Sequence, residues 1–135
     1  MWKLLLWLYL INGTLLINHE MDSAYWHEWK LFKLPGKMTG FLLLHFPLFF
    51  LILAGAVWVS HQSIAGLVVS GMLSIGGIFA FSIHTYFIKR GHPEFNALVS
   101  QGILIATLFV SSGQAIVTFV LFLQTFCNDS IFHKY

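Results

Sequence analysis

His19, Glu20, Asp22, His27, Glu28, His45, His84, His92 and Glu94 are the residues of this chain that could carry chemistry. They make up five of its 7 histidines and four of its 5 carboxylates. The chain as a whole is 58% hydrophobic, with only 9% Asp, Glu, Lys or Arg. Neither Met38–Ile88 nor Phe95–Asn128 contains a single such residue, and apolar runs of that length have lipid as their natural solvent. Ionisable groups beside or inside a bilayer are costly, so those retained there are functional candidates by default.

Four spanning helices are expected to position these groups, at about 2–29, 40–60, 63–88 and 96–124. Each offers the ~20 residues that a hydrocarbon core needs. Lys33-Leu34-Pro35-Gly36-Lys37 breaks the first from the second, because proline presets one turn dihedral and glycine permits the next. Only His61-Gln62 separates the second from the third, which requires a tight hairpin. The segment Lys89-Arg90-Gly91-His92-Pro93-Glu94 joins the third to the fourth. The expected fold is therefore all-α: one integral membrane domain over residues 1–135, a four-helix bundle running up-down-up-down. Lys3 precedes an apolar run, but no small-residue cleavage pattern follows, so this segment reads as a retained helix and not as a signal peptide.

Five of the 7 basic residues, Lys30, Lys33, Lys37, Lys89 and Arg90, lie in the first and third loops. The positive-inside rule puts those loops in the cytoplasm and both termini outside, as in a bacterial inner-membrane protein. A net charge of +2 is too small and dispersed for a nucleic-acid partner. The lone Cys127 excludes an internal disulfide and has no metal-ligand partner nearby in sequence.

Depth gathers the polar residues. His45 and His84 each lie roughly 7–8 Å inside the cytoplasmic end of their helix, and His19 lies ~25 Å along the first helix from Trp2, at the same level. Gln101 reaches a similar depth in the fourth. Direction supports the same grouping. Asn12, His19, Ser23 and His27 fall in one helical arc, with Glu20 and Asp22 at its edges. His84 shares a stripe with Gly66, Ser70, Gly77 and Ala80, and small-residue stripes are the faces that pack against other helices. Pro47 frees the carbonyl of Leu43 close to His45.

Such a pocket suits three chemistries. Neutral imidazoles with carboxylates can bind zinc, iron or manganese, with His19, His45 and His84 as ligands. Glu20 or Asp22 would then be a fourth ligand or general base, and His27 a proton-shuttling group. Two imidazoles at one level could instead ligate haem, although nothing resembles a propionate clamp. The same side chains could also move protons without a metal, as in an isomerase or cyclase. A substrate reached from the bilayer would be lipid-like. The plainer reading is a non-enzymatic membrane subunit whose histidines pack, bind haem or sense pH. Glu28 beside Lys30 and His92 beside Glu94 read equally well as solvated ends.

The string His19-Glu20-Met21-Asp22-Ser23-Ala24, followed by His27-Glu28-Trp29, resembles a family of short bacterial membrane proteins of unknown function. Members carry an HE-x-D-A type segment at the end of the first helix and H-x-P-L early in the second, which His45-Phe46-Pro47-Leu48 matches. The likeness covers nearly the whole chain. The chain is also, more distantly, similar to the HXXEE-type group of small membrane proteins, but His19-Glu20-Met21-Asp22 offers one fewer clustered acid. The resemblance implies a four-helix membrane protein with an important His/Glu face. It implies no known reaction.

Overall fold

The computed structural model describes residues 1–91 and 97–132, so His92, Glu94 and His133 lie outside the described residues. Those residues form helices and turns, with no strand among them. Four long helices, α1 (Trp2–Tyr25), α3 (Lys37–Ser60), α4 (Ile64–Lys89) and α5 (Leu98–Phe132), are supplemented by one short helix, α2 (Glu28–Leu31). In α5, only the backbone is described at 126 and 128–132. Three helices are long and apolar enough to cross a membrane: Lys37–Ser60, Ile64–Lys89 and the Leu98–Thr125 part of α5. They suggest a membrane protein. α1 has the length, but Lys3, Asn12, Asn18, His19, Glu20 and Asp22 make it less apolar.

The polarity of the packing points the same way. Asn12, Ser70, Ser74, Thr107, Ser111 and Gln114 are fully buried, whereas Phe46, Ile75 and Phe109 are 77%, 69% and 73% exposed. Water would favour the reverse. In lipid an outward Phe costs nothing, and inward polar groups must find one another.

The helices approach closely because small residues line their contacts. α4 buries Gly66, Ser70, Gly77, Ala80 and His84 along one face, the stripe expected from sequence. A Cβ added at Gly77 would collide with the Ser111 hydroxyl and Thr107 of α5, and one at Gly66 with the Trp58 carbonyl of α3. Between α1, α4 and α5 lies a hydrogen-bond network. Asn12 Nδ2 donates to Gln114 Oε1 (2.8 Å), and Ser111 Oγ donates to Asn12 Oδ1 (3.0 Å). Gln114 Nε2 donates to Ser70 Oγ (2.9 Å) and to the Ser70 carbonyl (3.1 Å), while Ser70 Oγ meets Thr118 Oγ1 at 2.8 Å. α1 also reaches α3 through the Tyr9 hydroxyl, which donates to the Ile52 carbonyl at 3.0 Å. Each interhelical bond of this kind contributes ~0.6–2 kcal/mol in a bilayer.

The turns follow local chemistry. Ser63 caps α4 by accepting from Gly66 N–H at 3.0 Å, which closes the two-residue hairpin with α3. Gly36 takes a left-handed φ of 84° before α3, and Gly40 leaves room for the Pro35 carbonyl. α3 continues without a break through Pro47. The first helix stops at Tyr25, four residues short of the expected end at Trp29. His27 adopts a left-handed φ of 59°, and Lys33 one of 52°. The chain therefore turns back at Trp26–His27, and α2 carries Glu28 and Trp29 inward, each only 6% exposed.

Candidate functional site

A cavity of about 640 Å³ lies among α1, α2, α3 and α4, and five ionisable side chains reach it: His19, Glu20, Glu28, His45 and His84. α1 supplies His19 and Glu20 near its C-terminal end, α3 supplies His45, and α4 supplies His84 from its small-residue face. Glu28 enters from α2, held by its neighbour Trp29, whose ring packs on Phe41 at a centroid distance of 5.6 Å.

These five side chains form two sets. In the first, His45 Nε2 lies 2.7 Å from Glu20 Oε2, while His45 Nδ1 lies 2.7 Å from the Phe41 carbonyl oxygen. A carbonyl can only accept, so Nδ1 carries a hydrogen and donates to it. The contact between Nε2 and the carboxyl oxygen then needs one further proton, resident on either partner. His45 and Glu20 together hold that proton and are neutral as a pair, which is how an imidazole and a carboxyl are buried at least cost. The Phe41 ring stacks on the imidazole at 3.8 Å and fixes its plane.

In the second set, His84 Nε2 lies 2.7 Å from Glu28 Oε1, and the His19 ring stands edge-on to that of His84 at 4.5 Å. One ligand atom from each of His19, Glu28 and His84 lies within 4.8 Å of the others, and all three residues are buried. Two imidazoles and a carboxylate at that spacing could hold a metal ion. Zinc ligands stand about 3.3 Å apart, so to admit one the 2.7 Å His84–Glu28 contact would open and the wider pairs, up to 4.8 Å, would close.

The residues expected from sequence separate accordingly. His19 and His84 come together. His45 lines the same cavity but has both ring nitrogens engaged, with Glu20 on one of them. Asp22 is half-buried and outside the cavity wall. His27 is exposed, and its ring stands edge-on to that of Trp29, 4.8 Å between ring centroids. Gln101 is half-buried and also outside the wall. Glu28, read from sequence as a possible solvated end, is instead the carboxylate nearest the two histidines. The His27-Glu28-Trp29 string of the family resemblance contains it, but no spacing in the sequence turns it inward. The signal was the adjacent Trp29, a large apolar ring that had to be buried and takes its neighbour along.

An all-helical chain with three helices long and apolar enough to cross a membrane, and with a buried His/Glu cluster, is thus what this fold and site define. Residues 5–121 match a family of unknown function (DUF6713), and the chain belongs to that family. No curated protein and no solved structure matches it.

Proposed function

We propose that the chain is an integral membrane enzyme, built as an antiparallel four-helix bundle with α1 as the fourth span. Its catalytic cavity would use a divalent metal to act on a lipid-like substrate. The observation that carries this reading is the convergence of His19, Glu28 and His84 within 4.8 Å in a buried position. Intramembrane ionisable groups are expensive, and three of metal-ligand type from three elements are hard to explain as packing alone. A bound zinc, iron or manganese ion would supply Lewis acidity toward a substrate oxygen. Beside it, His45 and Glu20 share one mobile proton at Nε2 and Oε2, in position for general acid–base work on the same substrate. Asp22 and His27, which do not line the cavity, would then have at most an indirect part in catalysis.

The arrangement favours a metal ion over haem, because His19 and His84 stand 4.5 Å apart and leave no room for a macrocycle between them. The second reading is a metal-free acid–base enzyme of isomerase or cyclase type, and the shared proton of His45 and Glu20 favours it. In either case we place the His/Glu level at the cytoplasmic leaflet of a bacterial inner membrane, on the strength of the basic first and third loops. A non-enzymatic, pH-sensing subunit is the remaining alternative.

Metal analysis of the detergent-purified full chain tests the reading. Stoichiometric zinc, iron or manganese that is lost in His84→Ala supports it. A metal-free wild type, after supplementation with each of the three ions, sinks the metal and leaves the proton pair.

A further inference from the structure

The histidines and glutamates gather at one end of the cavity. Beyond His19, Glu20, Glu28, His45 and His84, its described wall is apolar except for Tyr9, whose hydroxyl is engaged by the Ile52 carbonyl. From His84 the wall continues along α4 as far as Val69, fifteen residues or about 22 Å of helix. That is a long, narrow, greasy space with a reactive head end.

The cavity also opens sideways. Leu44 and Leu48 of α3, and Met72 and Phe79 of α4, line it and are at the same time exposed on the outer surface of the two spanning helices. α3 and α4 are tied together at His61-Gln62, at the far end from the ionisable groups, so the opening lies between them. Gly76 sits at that opening: it lines the cavity, it is exposed, and a Cβ added there would meet nothing within 4 Å.

The head end has its own chemistry. Among the described residues no Lys or Arg lines the cavity, and its two carboxyls are each paired with an imidazole. In the metal-free cavity an anionic head finds no counter-charge, and a cationic head finds carboxyls already engaged. An alcohol or a carbonyl, by contrast, can both meet a metal and exchange a hydrogen bond with imidazole or carboxyl.

From this we infer that the cavity takes a single-chain amphiphile with an uncharged oxygen head, entering laterally from the bilayer between α3 and α4. The head comes to rest at His19, Glu28 and His84, and the chain lies along α4 toward Val69. This inference names the substrate class of the site proposed above and rests on that reading for the head group alone.

The test uses the full chain in nanodiscs with three diazirine-bearing sixteen-carbon probes: hexadecanol, palmitate and hexadecylamine. Hexadecanol should label saturably, with crosslinks in the Leu44–Leu48 and Met72–Phe79 segments, and, in a chelator-stripped portion of the sample, at least tenfold more than either charged probe. Gly76→Leu and, independently, Leu48→Trp should cut that labelling tenfold or more. Gly71→Leu, the same change at a glycine of α4 that does not line the cavity, should leave it unchanged. Equal labelling by all three probes overturns the head-group assignment, and full labelling in both portal variants overturns the lateral route. Metal content measured on the same samples separates the two readings. Metal without hexadecanol labelling defeats only this inference, and labelling without metal defeats only the metal centre.

Discussion

Asn12 of α1 and Gln114 of α5, 102 positions apart in sequence, are joined by a side-chain hydrogen bond of 2.8 Å in a fully buried setting. Asn12→Ala would leave the Gln114 carbonyl oxygen and the Ser111 hydroxyl without that partner. The cost expected is about 1–3 kcal/mol, the range for a stranded buried polar group. Unfolding in mixed micelles should show it, with metal content unchanged, since the network lies outside the cavity wall. A stability equal to wild type would mean that these groups re-pair without Asn12.

His19→Ala, Glu28→Gln and His84→Ala should each lower metal occupancy sharply, and double changes should add little, because a three-ligand site fails as a unit. His45→Ala should reduce occupancy much less. The reverse ranking, with His45 critical and Glu28 dispensable, would restore the three-histidine ligand set.

Glu20 and His45 should be coupled. In a double-mutant cycle of Glu20→Gln and His45→Gln, read by thermal unfolding in detergent, the double variant should lose less than the two singles combined. The coupling should fall within about 0.5–3 kcal/mol. Strict additivity would show that the 2.7 Å contact carries no energy of its own.

Gly77→Ala should destabilise by about 1–3 kcal/mol, because its methyl group runs into Ser111 on a neighbouring helix. Gly71→Ala, which faces open space, should be neutral or stabilising by up to ~1 kcal/mol through helix propensity. Equal effects at the two positions would argue against close packing of α4 on α5.

Orientation is checked with single cysteines in a Cys127→Ser background. A cysteine at exposed Lys30 should resist an impermeant thiol reagent in intact cells, and one at exposed His61 should react. The opposite pattern would move the His/Glu end to the outer leaflet.

Much of this was legible in the sequence because its signals were long or chemical. Apolar runs gave the helices, Pro35-Gly36 and His61-Gln62 gave the turns, and a stripe of small residues turned His84 inward. Two features escaped. The break at Trp26–His27 bears no glycine, asparagine or proline at the left-handed position, so an uninterrupted helix to Trp29 was the natural reading, and it threw Glu28 outward. By depth Gln101 marks α5, yet it is half-buried and is not among the buried positions of the seam. The buried positions are Ser100, Leu104, Thr107, Ser111, Gln114, Thr118 and Leu121, spaced alternately four and three apart. In lipid the interior face of a helix is marked by its polar residues, and here a heptad of Ser, Thr and Gln carries that mark.

Glu28 arrives at the histidines on a single turn of helix tethered between two left-handed residues, His27 and Lys33, and not on a spanning helix. Its position is therefore only as secure as the seating of Trp29 and the Leu34–Trp29 backbone bond of 2.8 Å. An ion that uses this carboxylate binds only the seated form, so by mass action it stabilises the seated segment by as much as seating raises its affinity. The segment from Trp26 to Gly36 thus behaves as a clasp. Protection of its amides from hydrogen exchange would report occupancy of the site from outside it.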